Sequence, residues 1–265
     1  MRYILSLVTG AAILAASSVL AQDAGQIPLD ATVVVMGEMH DAPDHHLNQA
    51  DWIERMAPAA VVFEMLPADL GRVATDLADR DAETLGPALR WSERGWPDFA
   101  IYAPVFAASA GAAIYGAEAP AQTMAAAVND GAWAAFGAED PFGLSQPLPP
   151  DELSARVALQ ADAHCGALPE QMLPGMVEAQ RLRDAWIAQA VLDALSATGG
   201  PVAVVTGNGH ARADWGVPAL LANARPELDV TSIGQLDTAD PDAPYDHVIV
   251  SAVPPRTADP CDALR

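Results

Sequence analysis

Glu38, His40 and Asp41 follow Gly37 within four residues, and Gly207-Asn208-Gly209-His210 repeats the form Gly-x-x-His far downstream. Each motif closes an apolar run, Val33 to Met36 in the first case and Val202 to Val205 in the second. Glu64 closes a third such run, Ala59 to Phe63. Histidine and carboxylate together can hold zinc or manganese, or act as a general base on water. Glu38, His40, Glu64 and His210 are therefore candidate catalytic residues of a metal-dependent hydrolase, and candidate metal ligands. No Gly-x-Ser-x-Gly or His-Glu-x-x-His stretch occurs in the chain, so serine-esterase and common zinc-protease chemistry do not apply. A structural reading also stands beside the functional one: acids and histidines at strand ends can cross-link loops.

These side chains need elements to position them. Short β-branched runs read as buried strands, and ligands of open α/β sheets sit at the carboxyl edge. If the runs at Val33 and Val202 are parallel neighbours, His40 and His210 meet in one cleft. Asp41-Ala42-Pro43-Asp44 reads as a helix start, with Asp41 as cap and Pro43 in the first turn. In that helix His45, His46 and Gln49 share a side with Trp52, Ile53 and Met56, so polar groups face the core. Two amphipathic helices interrupted near Gly86-Pro87 are expected between Asp69 and Leu89, then a loop with Trp91 and Trp96, then a helix from Phe99 containing Tyr102. Ala112 to Gly116 reads as a strand. Gln122 to Phe136 and Asp151 to Asp162 read as helices around a Pro/Gly loop. Leu173 to Ser196 is the longest helix, with Met176, Gln180, Arg183 and Ile187 on one face, so Gln180 and Arg183 are expected to point at the cleft. Val230 to Ile233 and His247 to Val250 complete the strands. The recurrence of strand and helix predicts one α/β domain, a largely parallel central sheet flanked by helices, with a helical insertion.

The pair GEMHD and GNGHAR resembles the ChaN-like haem-binding uptake family of the Tiki and erythromycin-esterase-like superfamily. So do DHHLNQ after the first motif and MVEAQRLRDAWIAQAV before the second. The likeness runs from about Val33 to Pro218. It implies an exported protein that binds haem or another iron cofactor for uptake or storage. Tyr102 or a histidine (His40, His46 or His210) would then be the axial ligand. Trp91, Trp96 and Trp215 would form aromatic walls, and Gln180 and Arg183 would meet polar groups such as a propionate. The same superfamily contains hydrolases, so the metal-dependent alternative stays open.

With 13 arginines, no lysine and 35 acids, the formal charge is -22, which repels nucleic acid and anionic membranes. Residues 1–21 carry Arg2, an apolar stretch and a small-residue junction at Val19-Leu20-Ala21, the pattern of a cleavable signal peptide. Residues 22–265 would be the mature domain, periplasmic or secreted. No cysteine lies near the junction, so no lipid anchor and no stable membrane anchor are expected. Cys165 and Cys261 are an even pair in an exported chain and are expected to form a disulfide. The partner is haem or another small ligand. A homodimer is left open.

Overall fold

A computed structural model describes residues 22–77, 80–137, 139–251, 253 and 261. The predicted signal peptide lies outside them. In chain order the elements are β1 (Val33–Glu38), α1 (Pro43–Met56), β2 (Ala60–Phe63), α2 (Ala68–Asp76), α3 (Ala82–Ala88), α4 (Phe99–Ala108), β3 (Ala113–Gly116), α5 (Ala121–Asp130), α6 (Ala132–Phe136) and α7 (Pro150–Ala163). There follow α8 (Leu173–Thr198), β4 (Val202–Gly207), α9 (Asn208–Ala211), α10 (Val217–Ala224), β5 (Val230–Leu236) and β6 (His247–Val250).

Among the described residues the strands form one six-stranded sheet in the order β3-β2-β4-β1-β5-β6. Every pairing is parallel. β1 and β4 are buried at all six positions, which is why their sequences are continuous apolar runs rather than alternating ones. Side chains alternate between the two faces. Val34, Met36, Val61, Phe63, Ala203 and Val205 pack with Trp52, Tyr102 and Phe106 from α1 and α4. Val33, Val35, Val62, Val202 and Val204 pack with Leu182, Ile187 and Val191 of α8 and Leu221 of α10. β4 lies between β1 and β2, with Glu38 opposite Gly207 and Phe63 opposite Val205. Three strands thus end nearly flush, so the residues just beyond them share one edge.

Several local expectations shift. The N-cap of α1 is Ala42, without a side-chain cap, although Pro43 does open the helix. Gly86 and Pro87 lie inside α3, and the break falls between α2 and α3 instead. Gly131, at φ 92°, divides the alanine-rich stretch into α5 and α6. Among the described residues no helix is long and apolar enough to cross a membrane.

Cys165, one residue after the C-cap of α7, is bonded to Cys261, with the Cα atoms 5.6 Å apart. Their separation of 96 residues closes a long loop. Reduction is expected to lower the urea unfolding free energy by roughly 2–4 kcal/mol through the gain in unfolded-state entropy. Equal urea midpoints with and without reductant would show that the bridge carries no stability.

Candidate functional site

Glu38 is the hub of the site. It ends β1, and its side chain is fully buried. Its Oε1 accepts from the Tyr102 hydroxyl at 2.6 Å and lies 2.8 Å from His40 Nδ1 and 3.4 Å from His46 Nε2. Burial works against its charge, but the hydrogen bonds to His40 and His46 prevail and bring its pKa down to about 2. Glu38 Oε2 is buried with no hydrogen-bond partner among the described residues, a polar atom of the kind a ligand or ordered water satisfies. Behind this hub the first turn of α1 is tied down by its own histidines. His46 Nδ1 donates to the Ala42 carbonyl at 2.9 Å. His45 Nδ1 accepts from the Met39 N–H at 3.0 Å, and burial holds the His45 pKa down near 4.

His40 is the member of this group that reaches solvent, with its side chain 32% exposed. Glu38 fixes its Nδ1. No described residue hydrogen-bonds its Nε2. Burial pulls its pKa down, but the Glu38 hydrogen bond and the Glu64 and Glu38 charges outweigh this, and the net shift is upward. The Trp96 ring stands 4.9 Å from the imidazole, centroid to centroid.

The second cluster is built on the neighbouring strands. Glu64, just past β2, accepts from Thr206 Oγ1 at 2.7 Å and from the Gly207 N–H at 2.8 Å through Oε2. Its Oε1 lies 3.3 Å from His210 Nε2. His210 Nδ1 is 2.6 Å from Asp184 Oδ1, and the Gln180 amide nitrogen lies 3.1 Å from the same ring nitrogen. Burial disfavours a charged His210, yet Glu64 and Asp184 on either side raise its pKa to about 10. Glu64 is held well below the usual carboxylate range despite burial, chiefly by His210. Asp184 moves upward because its burial outweighs the pull of His210. At neutral pH His210 is an imidazolium clamped between two acids.

The two Gly-x-x-His turns interlock. A Cβ at Gly37 would stand 2.5 Å from Asn208 Oδ1, which belongs to the second motif. Asn208 needs that space because its side chain spans to β5, accepting from the Gln235 N–H at 3.0 Å and donating to the Gln235 carbonyl at 2.6 Å. A Cβ at Gly207 would in turn stand 3.0 Å from His40 Nε2, which belongs to the first motif, and 3.7 Å from Glu64 Oε2. Gly207 has φ -62°, an ordinary value, so Gly207→Ala adds only a steric load on His40. That variant is expected to remain folded, to weaken ligand binding at the edge by about tenfold through a misplaced imidazole, and to leave the urea midpoint almost unchanged. Unaltered binding would show that the space beside Nε2 is not used.

The structure brings together Glu38, His40, His46, Glu64, Gln180 and His210, as expected from their placement at strand and helix ends. It treats others differently. Tyr102 is fully buried and gives its hydroxyl to Glu38, so it supports His40 from behind and its oxygen is not open to an iron. Arg183 is exposed. It lines a cavity of about 290 Å³ together with Glu64, Trp96, Glu118, Met124 and Ile187, but has no hydrogen-bond or ion-pair partner among the described residues. The α8 residue that meets His210 is Asp184, one position on. The tryptophans do not form one wall: Trp91 is core, Trp96 stands beside His40, and Trp215 lies under Arg212 in a separate cavity. The alternative of a zinc or manganese site finds no support. Among the described residues no group of three or more histidines, cysteines or acids is arranged to hold a metal ion, because Glu38, Glu64 and His210 already bind one another and their neighbours.

A family model described as haem-binding uptake, Tiki superfamily, ChaN matches residues 28–221. The fold is similar to a solved structure of ChaN from Campylobacter jejuni with cofacial haem binding. That likeness has 20% identity and a TM-score of 0.65, over 83% of this chain and 87% of that one. An erythromycin esterase mutant in its open conformation is a weaker likeness, at 12% identity and a TM-score of 0.43, over 77% of this chain and 70% of the other. A succinoglycan biosynthesis protein is comparable, at 11% identity and a TM-score of 0.46, over 83% and 72%. No curated protein matches the chain.

Proposed function

Because the chain belongs to the haem-binding uptake family of the Tiki superfamily, we propose that it binds haem at the carboxyl edge of its sheet and serves haem or iron uptake in an exported compartment. The observation that carries this reading is His40. Its Nδ1 is held by a buried carboxylate, and no hydrogen bond to its Nε2 is made among the described residues. A histidine ligand to a metal is oriented in this way, with the second nitrogen bound to a carboxylate that fixes the ring and raises its basicity. Haem supplies the iron that such a nitrogen takes and a flat apolar ring that needs covering. Trp96 is the wall beside His40, and it also borders an open cleft of about 740 Å³ that includes Arg90 and Trp91. Arg183, exposed on the rim, suits a propionate. With no metal-holding group among the described residues, the metal-dependent hydrolase is not favoured.

Haem titration of the mature, ligand-free protein tests this. A saturable Soret band is expected. His40→Ala should weaken binding at least tenfold and alter the spectrum, with a stability change within about 1 kcal/mol for a side chain that is partly exposed. A wild-type protein that gives no Soret change, with haem or after expression in its presence, overturns the reading. A His40→Ala variant with the wild-type spectrum assigns the iron to another residue.

A further inference from the structure

A second cavity, of about 320 Å³, lies between α7, α8 and the segment after α9, lined by Arg156, Val177, Gln180, Arg212, Trp215 and Tyr245 among others. It shares no lining residue with the cavity beside Trp96. Its size is at the small end of ligand pockets, which run about 300–1,000 Å³. Both guanidinium groups lie over one indole: Arg212 Cζ is 3.7 Å and Arg156 Cζ 5.0 Å from the Trp215 ring centroid. Each arginine is also held by a carboxylate along one edge. Arg212 donates to Asp214 from Nε at 3.0 Å and from Nη2 at 2.7 Å. Arg156 donates to Glu152 Oε1 from Nε at 2.8 Å and its Nη2 lies 2.7 Å from the same oxygen, while Nη2 donates to the Trp215 carbonyl at 3.3 Å.

One donor is left over. Arg156 is 7% exposed, and its Nη1 is buried without any acceptor among the described residues. A buried N–H of a charged group is rarely left without a partner. Apart from Arg212, Gln160, Gln180 and Tyr245, the lining around Arg156 is apolar, with Leu159, Ala163 and Val177 beside Trp215. Glu152 and Asp214 offset the two positive charges, so this is not a general anion trap. Arg156 lines the cavity and carries this unsatisfied donor beside an aromatic and aliphatic wall, and a guanidinium is best matched by a carboxylate.

We infer that this cavity binds a carboxylate carried on a small apolar or aromatic body, with a carboxylate oxygen accepting from Arg156 Nη1. The carboxylate comes either from a free monocarboxylic acid or from a propionate of a porphyrin. The inference does not depend on haem binding at His40.

The test is calorimetric titration of the haem-free mature protein with phenylacetate and with phenylacetamide, which has the same shape without the charge. Phenylacetate is expected to bind at least tenfold tighter. Arg156→Met should remove that preference and leave amide binding unchanged. Glu152→Gln frees Arg156 from its competing carboxylate and should tighten phenylacetate severalfold, so the proposal stays testable if Arg156→Met does not fold. Equal affinity for acid and amide overturns the inference, as does a Glu152→Gln variant that binds phenylacetate no better than the wild type. Repeating the titration on haem-loaded protein separates the sources: displacement of phenylacetate identifies a propionate as the occupant, and simultaneous binding identifies a free acid.

Discussion

Glu38→Ala is expected to destabilise the fold by about 3–5 kcal/mol and to abolish haem binding together, the range seen when one partner of a buried charged cluster is removed. One oxygen of Glu38 serves Tyr102, His40 and His46 at once. Without it the Tyr102 hydroxyl is a buried donor with only longer contacts remaining, 3.3 Å to His40 Nδ1 and 3.5 Å to the His40 carbonyl. The imidazole of His40 also loses the group that orients it. Glu38→Gln keeps the volume and one acceptor oxygen, so a smaller stability loss is expected with the binding loss largely retained. Tyr102→Phe removes only one donor and should cost about 1 kcal/mol. Urea unfolding and haem titration on all three variants separate the two roles. A Glu38→Ala protein as stable as the wild type would show that the hub is not what holds this edge together.

The alkaline limb of stability belongs to His210. Its pKa is 6.5 when unperturbed and about 10 in the folded chain. A pKa raised by folding contributes stability that is fully present below the unfolded value and is lost as pH rises through the folded one. Unfolding free energy should therefore decline between about pH 6.5 and 10, by at most about 5 kcal/mol, since each tenfold gain in proton affinity on folding corresponds to about 1.4 kcal/mol. His40, whose pKa is also raised, contributes in the same direction, and few other groups titrate there. The chain has no lysine, both cysteines are in the disulfide, and burial raises Tyr102 and Tyr245. His210→Gln should flatten this limb while lowering stability at pH 7. Urea midpoints at pH 7, 8, 9 and 10 check it, and an equal slope in both proteins would assign the alkaline loss elsewhere.

Much of the edge is legible in the sequence because its residues follow directly on apolar runs, so that strand ends alone place Glu38, Glu64 and His210. The inward histidines of α1 are legible from helical phase, and all three of His45, His46 and Gln49 are buried. On α8 the residue type misleads where the phase does not. From Gln180, a step of three residues rotates by 300° and a step of four by 400°, so Asp184 lies closer to the same line than Arg183 does. The chemistry of an arginine suits a cleft, but the position that faces His210 belongs to the acid beside it. The role of Tyr102 is beyond sequence reading: its partner Glu38 is 64 positions away, and nothing local says that α4 packs on α1. The interlocking of the two motifs is hidden for the same cause, since each glycine makes room for a side chain supplied by the other segment.

The strand order has a consequence for how the chain matures. β4 occupies the middle of the sheet, yet it is fourth in sequence, and β1 and β2 never touch each other directly. A nascent chain that has emerged only through α7 holds β1, β2 and β3 with a missing strand between the first two. It can pair β2 with β3 but cannot close the layer. The two halves of the sheet join only when residues 202–207 arrive, and this single late insertion also delivers His210 to Glu64. Contacts of such long sequence separation are slow to form. The chain thus spends most of its synthesis without a finished core, and the binding edge is assembled only when β4 joins β1 to β2, before β5 and β6 complete the sheet.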